Sequence, residues 1–294
     1  MGPLRSDTLS SMSLKVLYIA EIVGKAGVYA VKRVLPSLKR ELKLDFVIAG
    51  GDSVTGGSGL GKNHAVYLRK LGVDSLLTGD CTYYKKDIVE YLGRTSAVLR
   101  PANYPQDAPG RGFKCYDTPS GRLGVAVFLG QAGYPRTHLE NPFNMYAGVL
   151  DRLKRDAKAI IFDFHATTTA EKRTLFSMTD GKVSAVIGSH TRVATSDAAV
   201  SAKGTATVTD SGRTGSTLSV GGLDPGARIG EYLSQIPDWS KDAWAGAEFN
   251  AFLLEIDDDG RTRSMERISR PVEVPREEAG TGDLDGDGEA QDQA

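Results

Sequence analysis

The sequence predicts an α/β fold in which two sheets pack on each other and helices flank them. Two observations predict it. From Leu14 to Arg100, apolar runs of strand length alternate with stretches of helical apolar spacing, the signature of a largely parallel sheet. From Gly112 onward, β-type runs follow one another with fewer helices between them, which calls for a second sheet stacked on the first.

Taken in order, Leu14, Val16, Tyr18-Ile19 and Ile22-Val23 form a strand-length run closed by Gly24 and Gly27. Val31, Val34, Leu35, Leu38 and Leu42 then recur at helical spacing, predicting a helix from Val28 to Leu42. Asp45 to Ala49 reads as a buried strand ending at Gly50-Gly51, and the glycine-rich stretch from Val54 to Gly61 as a loop. A helix from about Asn63 to Leu71, a strand from Ser75 to Thr78 and a helix from about Lys85 to Tyr91 continue the rhythm. Ser96 to Arg100 leads into a proline-rich connection to Gly112. Leu123 to Leu129, Ala159 to Phe164, Val183 to Ile187 and Ala206 to Thr209 are β-type runs. Phe249 to Ile256 alternates, meets the turn Asp257-Asp258-Asp259-Gly260, and returns from Arg263 to Ile268 as a hairpin.

The 294 residues carry 36 Lys+Arg against 37 Asp+Glu, a net charge of -1 that excludes a protein held to nucleic acid by overall positive charge. Two cysteines, Cys81 and Cys115, make no disulfide scaffold. No apolar run approaches the roughly 20 residues of a membrane span, and Met1 to Ser13 lacks the apolar stretch of a signal peptide. The expectation is a soluble, cytoplasmic protein with no membrane partner. Residues 1–13 are expected to be a disordered N-terminal segment, residues 14–274 the folded domain, and residues 275–294 a disordered acidic tail. Within that tail Asp283, Asp285, Asp287 and Gly288 match the first half of a calcium loop, but Ala294 falls where a bidentate Glu is required. The tail reading is therefore preferred.

The chemistry is expected at the strand ends, because ligands of open α/β sheets gather outside the carboxyl ends of strands. Six runs end in polar groups: Glu21; Gly51-Asp52-Ser53; Gly79-Asp80-Cys81; Asp163-Phe164-His165; Gly188-Ser189-His190-Thr191-Arg192; and Thr209-Asp210-Ser211-Gly212. A single carboxylate after a strand commonly caps a helix or satisfies a turn. Six in succession exceed what capping explains, and oxygen and imidazole donors at one rim suit a divalent transition metal.

These segments, in this order, resemble the YmdB-like phosphodiesterases of the calcineurin-type metallophosphoesterase superfamily. Arg100-Pro101-Ala102-Asn103 and Asp163-Phe164-His165-Ala166 are the most specific to that branch, and the likeness runs from Leu14 to about Pro271. The resemblance implies a four-layer α/β/β/α metallophosphoesterase sandwich with two cations at the strand ends, and phosphodiesterase activity with cyclic nucleotides among the substrates.

The departures from the family pattern are specific. Glu21 stands where the family has Asp, and Asp52-Ser53 where it has Glu-Asn. Cys81 replaces the histidine of Gly-Asn-His, and Arg192 replaces the last histidine of Gly-x-His-x-His. The resemblance therefore leaves one ligand set intact in type, namely Asp52, Asp80, His165 and His190. The other keeps Glu21 and Asp52, but Ser53 is a poor ligand and a guanidinium cannot ligate at all. At most one divalent metal per chain (iron, manganese or zinc) is expected, or none, with Arg192 pairing with Glu21 and Asp52 in the other cation's place. Cys81 reads either as a ligand or nucleophile or, preferably, as a small buried thiol filling the histidine's space. The preferred expectation is a degenerate member acting by binding, regulation or assembly. The alternative is an active mononuclear phosphodiesterase in which Arg192 stabilises phosphate charge. A homo-oligomer, a protein partner and a nucleotide or phosphate ligand are the partners to expect.

The remaining polar and aromatic residues have plainer readings. His64 and His138 are expected to be packing or surface residues, and Tyr83-Tyr84 to pack in preference to stacking a base. Arg213 and Lys85-Lys86 are expected to be solvated, and Trp239, Trp244 and Phe249 to form a small apolar cluster or a partner surface.

Overall fold

The computed structural model describes residues 13–134, 139–238 and 241–274. The expected terminal segments and calcium-like run, together with His138 and Trp239, lie outside the described residues, apart from Ser13.

The first half alternates as its patterning predicts: β1 (Leu14–Ile19), β2 (Glu21–Ile22), α1 (Gly24–Leu42), β3 (Phe46–Gly50), α2 (Lys62–Lys70), β4 (Ser75–Leu77), α3 (Lys86–Arg94) and β5 (Val98–Leu99). The chain then runs through β6 (Phe113–Thr118), β7 (Gly121–Leu129), α4 (Pro142–Lys154), β8 (Ala159–His165), α5 (Thr169–Thr179) and β9 (Ala185–Ser189). It ends with β10 (Ala199–Val200), β11 (Ala206–Val208), β12 (Arg213–Ser216), α6 (Pro225–Ser234), β13 (Ala247–Ile256) and β14 (Thr262–Pro271).

One sheet has eight strands in the order β2-β12-β13-β1-β3-β4-β5, with β14 on β13; the other has six, in the order β10-β11-β9-β8-β7-β6. Within the first, β1, β3, β4 and β5 are parallel, and the β13–β14 hairpin joins β1 antiparallel. Within the second, β7, β8, β9 and β11 are parallel and β6 and β10 are antiparallel edges.

Period-2 alternation divides the core into three layers of contact. On β1, Leu17 and Ile19 face α1–α3 with Leu35, Leu68 and Ile88, while Val16 and Tyr18 face the second sheet with Val125, Ile161 and Ile187. On β8, Phe162 and Phe164 face α4 and α5 with Leu150 and Leu175, leaving Asp163 and His165 on the face toward the other sheet. The result is the four-layer α/β/β/α sandwich.

Two details differ from the sequence reading. The strands of the second half do follow one another with fewer helices between them, but α4 and α5, which the reading did not single out, form crossovers between its parallel strands. Their signals are short ones: the Asn141 side chain caps Phe143 N–H ahead of Pro142, and Thr168 caps Glu171 N–H while donating its hydroxyl to that carboxylate, a variant of the capping box. The first run is also shorter than predicted, and α1 starts at Gly24 instead of Val28. Gly27 is therefore helical, and a Cβ there would lie 2.5 Å from Thr214 O, so α1 packs against β12 only because the side chain is absent.

The Arg100–Asn103 motif holds the sandwich together locally. Arg100 donates to the carbonyls of Pro101, Pro105, Ala108 and Pro109, folding the proline-rich connection around a buried guanidinium. Asn103 accepts from Leu129 N–H and donates to Leu129 O and Glu140 O, pinning the end of β7.

Candidate metal centre

Four elements deliver donor atoms to one point on the rim: the turn after β3 (Asp52), the turn after β4 (Asp80), the last residue of β8 (His165) and the residue after β9 (His190). His165 Nε2 lies 2.8 Å from Asp80 Oδ1, 3.0 Å from His190 Nδ1 and 3.7 Å from Asp52 Oδ2. His190 Nδ1 is 3.4 Å from Asp80 Oδ1. Asp80, His165 and His190 form one group whose donor atoms are close enough to hold a divalent transition metal, and Asp52 falls in a neighbouring group with Asp80 and Cys81. His165 and Asp52 form the buried floor, whereas the side chains of His190 and Asp80 are 29% and 21% exposed, so the centre opens to solvent on their side.

Each donor is oriented from behind. Asp52 accepts from Gly79 N–H at 2.5 Å and from Cys81 N–H at 3.1 Å, which fixes the turn after β4 against the turn after β3. Behind His165, Ser189 Oγ lies 3.1 Å from Nδ1 and donates its own proton to Asp163 Oδ1 at 3.1 Å. Asp163 Oδ2 accepts from the Tyr18 hydroxyl across the gap between the sheets. With the serine proton committed to Asp163, Ser189 Oγ accepts from Nδ1–H, which leaves Nε2 as the nitrogen that faces Asp80 and an incoming metal. Tyr134 closes the top, its hydroxyl donating to His165 O at 3.3 Å and its ring edge-on to His190 at 5.4 Å.

Charge crowding sets the protonation of the centre. Burial pushes the Asp52 carboxyl up to about 8, against the pull of His165. Burial alone would depress His165, but the hydrogen bond to Asp80 and the Asp52 charge raise it to about 9. Asp80 is held well below the usual carboxylate range, because the hydrogen bonds from His165 and His190 outweigh its burial. Burial drives the Cys81 thiol far up, reinforced by Asp52 and Asp80, so it stands as a neutral S–H, 3.6 Å from Asp80 Oδ2.

Glu21 and Arg192 sit beside this centre, outside its donor cluster. Arg192 Nε donates to Glu21 Oε1 at 3.1 Å, Nη2 to Ser53 Oγ at 2.5 Å and to Gly57 O at 3.0 Å, and Nη1 to Gly221 O at 3.0 Å. Ser53 in turn donates to Glu21 Oε1. Of the expected pairing of Arg192 with Glu21 and Asp52, the Glu21 half is direct, and Asp52 acts on the guanidinium through its nearby charge.

Other sequence-selected residues are occupied elsewhere. His64 Nδ1 lies 2.9 Å from Thr55 Oγ1 within the glycine-rich loop. Tyr83 packs edge-on to Tyr104 and donates to Pro109 O. Arg213, expected to be solvated, is half-buried and donates to the carbonyls of Arg192, Ser216 and Thr217. Trp244 packs edge-on to Tyr29, and Phe249 lies in the core under α1. Sequence reasoning gave no roles to Tyr18, Asp163, Ser189, Lys172 and Tyr134. For Asp163 the signal was available: it stands two residues before His165 on one strand and so shares its face.

A four-layer sandwich with carboxylates and imidazoles converging beyond the strand ends defines a metallophosphoesterase. The profile of the family described as "YmdB-like protein" matches residues 17–268, and the chain belongs to that family. It is 32% identical over 257 residues to the 2',3'-cyclic-nucleotide 2'-phosphodiesterase of Bacillus subtilis (strain 168), covering 87% of this chain and 96% of that protein. Among solved structures, a phosphatase from Mycoplasma pneumoniae superposes with a TM-score of 0.84 at 28% identity, covering 90% of this chain and 96% of that one. A hypothetical protein from Thermus thermophilus superposes with a TM-score of 0.82 at 30% identity, covering 88% and 99%. No helix among the described residues is long and apolar enough to cross a membrane.

Proposed function

We propose that the protein is a phosphodiesterase of mononuclear design, with one divalent cation held by Asp52, Asp80, His165 and His190 and a 2',3'-cyclic nucleotide or related phosphodiester as substrate. The observation that carries this reading is the group Asp80, His165 and His190, with Asp52 3.7 Å from His165 and with His165 Nδ1 held by Ser189, which turns Nε2 toward the cation. Asp52, Asp80, His165 and His190 would hold the cation, which when bound would supply Lewis-acid polarisation of a phosphoryl oxygen and a water of lowered pKa. The chain's own residues do the rest. Asp80 gives the negative charge that attracts the cation and Asp52 adds its own on losing its proton, Tyr134 shields the top of His165, and the solvent-facing side at His190 and Asp80 admits the phosphodiester. The substrate class rests on the relative from Bacillus subtilis.

A second reading, binding without turnover, is favoured by Cys81. A thiol raised this far by burial is a poor proton donor to a leaving alkoxide, and positioned acid–base help is worth roughly 10²–10⁴-fold. The test is elemental analysis of chelator-free protein, wild type and His165→Ala, followed by assay with 2',3'-cyclic AMP. One equivalent of metal, lost in the variant, with metal-dependent turnover supports the enzyme. Metal and nucleotide binding without turnover selects the second reading, and no metal rejects the mononuclear site.

A further inference from the structure

We infer that the guanidinium of Arg192 is a built-in cation standing where a second metal would sit, so that the centre has a capacity of one divalent ion per chain. This rests on the mononuclear site proposed above and concerns the rim beside it. A second ion would require Glu21 as a ligand, and Glu21 belongs to neither of the metal-competent groups, which comprise Asp80, His165, His190 and Asp52, Asp80, Cys81. Its Oε1 is already taken by Arg192 and Ser53, both as donors, while its buried Oε2 has no hydrogen-bond partner among the described residues. The serine hydroxyl, donating to Glu21 and accepting from Arg192, is likewise committed.

The guanidinium is fastened on every side. Of its five N–H groups, four are used on Glu21, Ser53, Gly57 and Gly221. Those partners come from β2, the turn after β3, the glycine-rich loop and the loop before α6, so the guanidinium draws together four segments of the rim. With a single N–H left over from its partners among the described residues, Arg192 has little to offer a phosphoryl oxygen. Its place among the carboxylates is electrostatic: permanent charge beside Glu21 and Asp52, without a proton to lose or an ion to exchange.

The backbone is built to send this side chain inward. His190 and Arg192 have φ of 104° and 61°, conformations that cost a residue with a Cβ. They persist because the loop is held from three sides. Thr191 N–H donates to Asp210 Oδ2 at 2.9 Å, Arg213 donates to Arg192 O at 2.8 Å, and Thr195 N–H donates to Asp210 O at 3.1 Å.

The test compares manganese stoichiometry of the full chain with that of the double variant Arg192→His/Ser53→Asn, and adds thermal unfolding of Arg192→Met with and without Glu21→Gln, in chelator. Expected are one equivalent in wild type and two in the double variant. A lower Tm is expected for Arg192→Met, whose buried Glu21 loses its counter-charge, with most of that loss restored when Glu21→Gln is added. Two equivalents in wild type would overturn the inference and leave the phosphodiesterase reading standing; no equivalents would overturn both. A double variant that binds one ion, or an unchanged Tm in Arg192→Met, would show that Arg192 does not act as the resident cation.

Discussion

Lys172 and Asp210 form an ion pair inside the molecule, Nζ to Oδ2 2.8 Å, with each side chain 1% exposed. Asp210 is not merely neutralised there. The oxygen that meets the lysine also accepts from Thr191 N–H, between the two left-handed residues His190 and Arg192, and the other accepts from Gly212 N–H at 2.9 Å. The helix α5 thus stabilises, through one lysine, the loop that carries a metal donor. Breaking one side of a buried pair costs about 3–5 kcal/mol, because a charge is left alone. Lys172→Met should therefore lose stability of that order in urea unfolding. Adding Asp210→Asn should cost less than the sum of the two single changes. Metal affinity should fall in both single variants; an unchanged affinity would mean that the pair braces the fold without placing His190.

The relay behind His165 predicts a difference between two neighbours. Asp163 accepts from Tyr18 on one oxygen and from Ser189 on the other. Asp163→Asn puts an NH₂ where one of those hydroxyls must donate. A Ser189 hydroxyl turned toward His165 Nδ1 would move the imidazole proton to Nε2, where the metal must bind. Outer-shell partners of this kind are typically worth 10–100-fold in metal affinity. Asp163→Asn should reach that range in a zinc competition titration, whereas Tyr18→Phe, which keeps the Ser189 bond, should lose less. Equal losses would reject the tautomer argument.

Gly79 predicts a variant that folds but cannot close the centre. A Cβ at this position would lie 2.5 Å from Cγ, Cδ2 and Nε2 of the His165 ring, too near for the imidazole to stay. At Gly51 the nearest atom, Leu77 O, is 3.4 Å away, ordinary contact. Gly79→Ala should therefore lose its metal while keeping its circular dichroism, and Gly51→Ala should keep both. Full metal content in Gly79→Ala would place His165 elsewhere.

Much of this is legible in the chain because strand ends and metal donors are local features. Gly51-Asp52, Gly79-Asp80 and Asp163-Phe164-His165 each show a strand, its end and a donor within a few residues, and the structure brings those donors to one rim. What escapes is either short-range but faint or long-range. The caps at Asn141 and Thr168 occupy a few residues each, too little to announce α4 or α5 among the β-type runs around them. Tyr18 lies 145 residues from Asp163 and Lys172 lies 38 from Asp210, separations that only the stacking of the sheets and the packing of α5 bring together. Arg192 falls between these cases. Its neighbourhood with Glu21 is readable, but its partners Gly57 and Gly221 are main-chain carbonyls, which no residue type announces.

The protonation of the centre predicts how metal affinity depends on pH. His165 is raised to about 9: burial opposes its charge, but the Asp80 hydrogen bond and the Asp52 charge overcome it. Below that pH, Nε2 carries a proton that an incoming cation has to displace, so the free centre holds more protons than the loaded one and acid weakens binding. One displaced proton corresponds to about a tenfold loss in affinity for each pH unit below 9. Asp52, raised to about 8 by burial, adds a second proton in the lower range and steepens the slope. Zinc affinity measured by chelator competition should climb from pH 6 to about 9 and then level. Calorimetry in buffers of different ionisation enthalpy should report proton release on binding at pH 7. Affinity that is flat across this range, or binding that takes up protons, would mean that His165 is neutral before the cation arrives.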